Sequence, residues 1–194
     1  PINGQRNKTG YNSKEADYIL QKIKAIIEEE KGLPKGLCQS IGVLSPFREQ
    51  SDHIASLIDK NLSLDALQRH QILIGTPHFF QGEERDVMFL SFALDKDDHG
   101  AAFRYLEKPD VFNVSITRAR SEQHLLISFD PTHLPSGGLL KEYLATVHQP
   151  RRSVVRHPDQ VTHDDFMREV FEAVQEFPHD QLFQHYHISG LDID

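Results

Sequence analysis

The chain has 194 residues, a hydrophobic fraction of 38%, a charged fraction of 26% and a formal net charge of −8 at pH 7. These values are those of a globular protein with one core of about 150 residues, and they exclude a disordered or fibrous chain. The negative charge excludes a protein that grips nucleic acid through a broad basic face, because such binding depends on lysine and arginine displacing counterions.

The longest apolar stretch, residues 87–94, is far shorter than the roughly 20 residues that a membrane-spanning helix needs. The single cysteine, Cys38, cannot close an internal disulfide, and no signal peptide opens the chain. We therefore expect a cytoplasmic protein with no membrane partner, in which Cys38 is a small buried residue.

Helical periodicity predicts a first helix that is capped by Ser13 and runs to about Lys31. Residues 41–44 form a short apolar run, typical of a buried strand, and a helix over 48–60 is predicted to follow. The later apolar runs are 72–76, 87–94 and 125–129. Such strands, separated by helical segments, predict an α/β fold with a mostly parallel sheet and helices on both faces.

In open sheets of this kind, ligands bind beyond the carboxyl ends of the strands. Polar segments at 45–48 and 76–84 follow the first two apolar runs, and 113–120 precedes the last. We expect the functional residues to gather at that one edge.

A polar stretch with two prolines, residues 149–159, has no periodicity and predicts a linker. The predicted organisation is a main domain over 1–150, a linker over 151–162 and a short, partly helical extension over 163–194 that begins a further, truncated domain.

Four segments carry a family resemblance: NSKEA at 12–16, IGVLSPFREQ at 41–50, GTPHFFQGEERDVMFLS at 75–91 and FNVSITRAR at 112–120. Together they resemble the second RecA-like motor domain of superfamily 1 helicases, in the same order and with similar spacing over residues 10–130. One departure is Pro77-His78, where the family usually has a small apolar residue and an aspartate.

The resemblance implies that Arg118 is an arginine finger, which reaches across a cleft to ATP and offsets the charge of the transition state. A guanidinium suits this role because its planar fork binds phosphate oxygens in pairs. Arg120 would position the nucleotide beside it. A surface arginine in an ordinary helix is the alternative for each.

Residues Gln81, Gly82 and Glu84 are implied to contact the nucleotide, since a glycine allows close backbone approach and a carboxylate accepts hydrogen bonds from a ribose. A solvated turn is the alternative. Ser45 and Thr76 end strands with short hydroxyls that suit phosphates of a single strand. A helix cap or turn is the alternative for both.

No Gly-x-x-x-x-Gly-Lys-Ser/Thr segment occurs, and no apolar run ends in the Asp-Glu pair that holds Mg²⁺. ATP and Mg²⁺ are therefore expected in the complete protein, bound mainly by an upstream P-loop lobe. The chain alone should not hydrolyse ATP, and its motor lobe should hold no metal. The expected track is single-stranded nucleic acid, DNA in preference to RNA; a degenerate lobe that only binds or regulates is the alternative.

Residues 166–194 carry a weaker resemblance to the start of a restriction-endonuclease-like domain, through Glu169, Gly190 and Asp194. Such a domain would use Glu169 and Asp194 to hold a divalent metal that activates water. The motor lobe would then load a nuclease. Solvated charges of a tail are the alternative.

Overall fold

The computed structural model describes residues 4–95, 100–131, 134, 137–147, 186–188 and 191–193. The chain divides into two units, Pro1–His148 and Gln149–Asp194. The described parts of the second unit are two short antiparallel strands, β5 (Tyr186–Ile188) and β6 (Leu191–Ile193). The predicted linker, Glu169 and Asp194 lie outside the described residues and stay predictions.

A parallel four-stranded sheet forms the centre of the first unit. Its strands are β1 (Ile41–Leu44), β2 (Leu73–Gly75), β3 (Arg85–Asp95) and β4 (Ala119–Ser128), in the order β2-β1-β3-β4. Strand β3 pairs with both β1 and β4, and all three pairings are parallel. The predicted α/β fold with a mostly parallel sheet is confirmed.

Six helices connect and cover the strands of the first unit where the structure describes it. They are α1 (Ser13–Glu29), α2 (Arg48–Asn61), α3 (Leu64–Arg69), α4 (Gly100–Leu106), α5 (Pro109–Ile116) and α6 (Leu139–Val147), with a 3₁₀ turn at Lys35–Leu37. The two long helices were predicted to within two residues. The cap of α1 is Asn12 rather than Ser13, because the Asn12 side chain accepts the Glu15 amide.

Alternating side chains of β3 supply cores on both faces of the sheet, as the two-residue period of a strand requires. Val87 and Phe89 pack with α1 and α2 on one face. Phe92 and Leu94 pack with α4, α5 and α6 on the other. The predicted helices on both faces are therefore present, and none of the described helices is long and apolar enough to cross a membrane.

The fourth strand begins six residues before the predicted start at 125. Its first half is exposed or partly exposed, so no apolar run marks it. Pairing with β3 extends it, since Arg85 lies opposite Ala119 and Val87 opposite Glu122. Tertiary pairing therefore sets the start of this strand.

A completely buried carboxylate, Glu15, lies between α1 and the sheet. It accepts hydrogen bonds from the Ser91 hydroxyl (2.7 Å), the Ala93 amide (3.0 Å) and the Ser128 hydroxyl (2.7 Å). Burial raises the pKa of Glu15 above 4.5, while the hydrogen bonds from Ser91, Ser128 and Ala93 oppose that rise. The carboxylate thus joins α1 to β3 and β4.

Helix α2 enters the same network through Gln50, which is also completely buried. Its Nε2 donates to the Ser91 hydroxyl at 2.8 Å, and its Oε1 accepts the Asn12 amide at 2.7 Å. Two helices and two strands are therefore held together by one set of buried polar contacts, which we call the Glu15 network: Asn12, Glu15, Gln50, Ser91, Ala93 and Ser128.

The raised pKa of Glu15 predicts a pH dependence of stability. Because the folded pKa exceeds the unfolded one, the contribution of this group is fully present below the unfolded pKa and is lost as pH rises through the folded pKa. Replacing Glu15 by glutamine removes the ionisation. In urea unfolding, the free energy of unfolding of the wild type relative to Glu15→Gln should therefore fall as pH rises above about 4.5.

The matched control is Glu29→Gln, an exposed glutamate on the same helix. Its free energy of unfolding should follow the wild type across the range. A pH-independent difference between wild type and Glu15→Gln would contradict the prediction.

Candidate functional site

The predicted site residues lie at two edges of the sheet, so the expectation of a single carboxyl edge is wrong. Ser45 and Thr76 follow β1 and β2 at the carboxyl edge, whereas Glu84 and Arg118 directly precede β3 and β4 at the amino edge. Residues 76–84 contain no helix, and they return the chain from one edge to the other. A four-residue strand separates the edges by about 10 Å.

At the amino edge, Arg118 lies between α5 and β4. Its carbonyl accepts the Arg85 amide at 3.1 Å, which holds the backbone beside β3. Its Nε donates to the Val114 carbonyl (3.2 Å) and its Nη2 to the Thr117 hydroxyl (3.1 Å). The half-buried guanidinium therefore lies against the carboxyl end of α5, where the helix dipole favours a cation.

The predicted nucleotide residues Glu84 and Arg120 are brought together, with 3.4 Å between Glu84 Oε2 and Arg120 Nε. Their side chains are 51% and 57% exposed, so solvent screens the pair and its net stabilisation is below about 1 kcal/mol. Both groups remain accessible to a ligand.

The loop before β3 contains Gln81 and Gly82, both exposed. Gly82 has φ of +80°, a left-handed conformation that favours glycine, and a Cβ there would meet nothing within 4 Å. Arg85 donates to Glu83 at 2.9 Å and to the Gln71 carbonyl at 3.0 Å. Arg85 therefore braces this loop.

A structural carboxylate, Asp86, lies just behind the loop. It accepts the hydroxyl (2.6 Å) and the amide (2.8 Å) of Ser40. Burial acts to raise the pKa of Asp86, but the Ser40 hydrogen bonds and the charges of Arg120 and Arg85 outweigh it and lower the pKa. Asp86 is therefore held in its charged form between Ser40 and the arginines of the amino edge.

At the carboxyl edge, Ser45 is completely buried and its hydroxyl accepts the Phe47 amide at 3.2 Å. This is the local turn that was the alternative for Ser45, and its contact with nucleic acid stays a prediction. The Ser45 amide donates to the Gly75 carbonyl at 3.0 Å, which places Ser45 beside Thr76.

Among the described residues, three side chains with metal-binding atoms meet at the start of β1. Their ligand atoms, from Glu30, Cys38 and His70, lie within 4.8 Å of one another. Glu30 Oε2 accepts the Gln39 amide at 2.8 Å, and Arg69 Nη2 lies 3.8 Å from Cys38 Sγ. The adjacent guanidinium opposes a cation, so we interpret this group as structural; Cys38 is buried as predicted.

Sequence reasoning missed the Glu15 network, although a signal for it exists. Glu15, Ile19 and Ile23 recur every four residues and so share one helix face, and all three are completely buried. A carboxylate on the apolar stripe of a helix indicates a buried polar site, because an unpaired charge there would be costly.

The parallel sheet with helices on both faces and the helicase-like segments at its edges define a RecA-like domain of superfamily 1 helicases. The chain belongs to the AAA domain family, whose sequence profile matches residues 2–128.

Three relatives illustrate the similarity. The chain is 28% identical to the helicase mov-10-B.1 of Danio rerio over 119 residues, which are 57% of this chain and 12% of that protein. It is 33% identical to Regulator of nonsense transcripts 1 of Dictyostelium discoideum over 109 residues (56% and 8%). It is 28% identical to Helicase sen1 of Schizosaccharomyces pombe over 111 residues (57% and 6%). The chain thus spans only a small part of the length of these relatives.

The two acidic side chains at the amino edge should differ in their effect on stability. Glu84→Ala removes an exposed ion pair and should change the free energy of unfolding by less than about 1 kcal/mol. Asp86→Ala leaves the Ser40 amide and hydroxyl without their acceptor and should cost about 2 kcal/mol. Urea unfolding of both variants at pH 7 measures the difference, and equal effects would contradict it.

Proposed function

We propose that this chain is the second motor lobe of an ATP-dependent superfamily 1 helicase or translocase. In this proposal Arg118 is the arginine finger, and Arg120, Glu84, Gln81 and Gly82 contact the nucleotide. ATP and Mg²⁺ are held mainly by an upstream P-loop lobe of the same polypeptide. Ser45 and Thr76 contact a single strand of nucleic acid, and the chain alone does not hydrolyse ATP.

The observation that carries the proposal is the position of Arg118 beside the Glu84–Arg120 pair at the amino edge. The Arg118 side chain donates to two neutral oxygens, the Val114 carbonyl and the Thr117 hydroxyl. Hydrogen bonds between a guanidinium and phosphate oxygens are charge-assisted and about twice as strong. A γ-phosphate presented by a second lobe would therefore draw the guanidinium away from α5.

The arrangement of the two edges supports a motor rather than a simple nucleotide-binding domain. Thr76 and Glu84 are the two ends of one loop. A shift of the backbone at the amino edge, where the nucleotide is proposed to bind, would therefore reach the carboxyl edge, where the strand is proposed to bind, through eight peptide bonds. Phe80, in the middle of the loop, is completely buried and anchors the segment to the sheet. Closure of the cleft between this lobe and the upstream P-loop lobe on ATP would thereby move the residues proposed to contact the strand.

Two of the three relatives above are named as helicases, and a further relative is the DNA polymerase alpha-associated DNA helicase A of Saccharomyces cerevisiae, 35% identical over 83 residues (43% of this chain and 11% of that protein). Phosphate contacts through hydroxyls do not distinguish DNA from RNA. We therefore propose single-stranded nucleic acid as the track, and the preference for DNA stays a prediction.

The decisive test is the ATPase activity of the full-length protein with single-stranded nucleic acid. Arg118→Ala should lower kcat by about 10³ or more while ATP still binds, because the finger acts on the transition state. Arg118→Lys should recover only part of the loss, since an ammonium lacks the planar fork. Arg104→Ala is the matched control, an exposed arginine on α4 that should leave kcat unchanged.

Two results would contradict this assignment. If the wild type hydrolyses ATP and Arg118→Ala is silent, Arg118 is not the finger. If the wild type binds single strands but does not hydrolyse ATP, the lobe is a degenerate binding or regulatory module, and a nuclease using Glu169 and Asp194 becomes the next activity to assay.

A further inference from the structure

One large aromatic side chain, Phe79, is displayed to solvent in the loop between β2 and β3. It is 60% exposed, whereas its neighbour Phe80 is completely buried against Leu44 and Met88. The same turn therefore buries one ring and presents the other. Core packing accounts for Phe80 and leaves Phe79 unexplained.

The exposed ring is held in place. The Phe79 amide donates to the Thr76 carbonyl at 2.9 Å, and the Phe80 amide donates to the Pro77 carbonyl at 3.1 Å. The Phe79 side chain lies directly beside Gly75, where an added Cβ would come within 2.6 Å of Phe79 Cδ1. Glycine at 75 thus makes room for the ring, and an ordered ring loses little entropy when a ligand binds.

The ring lies among the residues proposed to contact nucleic acid. Gly75 is the last residue of β2, its carbonyl accepts the Ser45 amide at 3.0 Å, and Thr76 follows it. Ser45, Thr76 and Phe79 therefore surround one point of the carboxyl edge. A nucleotide whose phosphate lies against Thr76, which is partly exposed, would carry its base within reach of the ring.

Charge favours a stacking contact at this place. The chain has a net charge of −8, so counterion release supplies less of the binding than on a basic protein. Stacking of a base on an aromatic ring is independent of net charge, and it tolerates any sequence because every base has a π-face.

We propose that Phe79 is a stacking platform for one unpaired base of the single strand. The proposal rests on the proposed function and adds a base contact to its phosphate contacts. A nucleobase is the occupant, rather than an apolar surface of another domain, because Phe79 lies in the same turn as Thr76, which is proposed to contact a phosphate of the strand.

The test measures binding of the full-length protein to labelled oligothymidine and oligouridine of about 12 nucleotides, by fluorescence anisotropy at several salt concentrations. On whichever oligomer binds more tightly, Phe79→Ala and Phe79→Leu should each weaken binding roughly 5- to 100-fold, the range for loss of a stacked base. Phe79→Trp should retain it. The slope of log K against log salt should stay unchanged, since no phosphate contact is removed.

An abasic oligomer of the same length isolates the base. Wild type and Phe79→Ala should bind it equally. Leu64→Ala, at a residue 69% exposed on α3, is the matched control and should bind like the wild type.

Three outcomes would overturn the proposal. Unchanged affinity of Phe79→Ala and Phe79→Leu for the base-containing oligomer shows that the ring does not stack, while the proposed function stands. An equal loss on the abasic oligomer shows that Phe79 acts through the fold or another domain. If the wild type binds neither base-containing oligomer, the proposed contact with single-stranded nucleic acid is wrong, and the stacking role of Phe79 is wrong with it.

Discussion

The buried carboxylate of Glu15 is the contact on which the placement of the functional segments depends. Two hydroxyls and a backbone amide from β3 and β4 donate to it, and Gln50 extends the contact to α2. Removing a carboxylate from water is costly, and only complete hydrogen bonding makes it tolerable. No buried side-chain nitrogen or oxygen among the described residues lacks such a partner.

This network explains why three of the helicase-like segments contain the polar residues they do. Asn12 and Glu15 belong to the first segment, Gln50 ends the second and Ser91 ends the third. All four side chains are completely buried. Their shared role is to hold helices and strands in one register, which orients the loops that carry Arg118 and Thr76.

The loop over 76–84 connects the carboxyl edge of the sheet to its amino edge. It has no helix, and Phe80 anchors its middle to the face of the sheet that also carries Met88. A helix in this position would have occupied the face and separated the two ends. A short anchored loop instead links Thr76 at the carboxyl edge to Glu84 at the amino edge.

The sequence by itself determined the fold class, the two long helices, the apolar strands and the segments that resemble a helicase, because periodicity and apolar runs are local properties. It did not determine the short helices α3 and α4 or the exposed first half of β4, since six to ten residues with mixed polarity carry little periodic signal. Only the tertiary structure placed the candidate site residues at two edges of the sheet. It also showed that Ser45 is buried and that Phe79 is exposed. The physical reason is that strand order and the path of a loop arise from packing between residues distant in sequence, such as Glu84 beside Arg120.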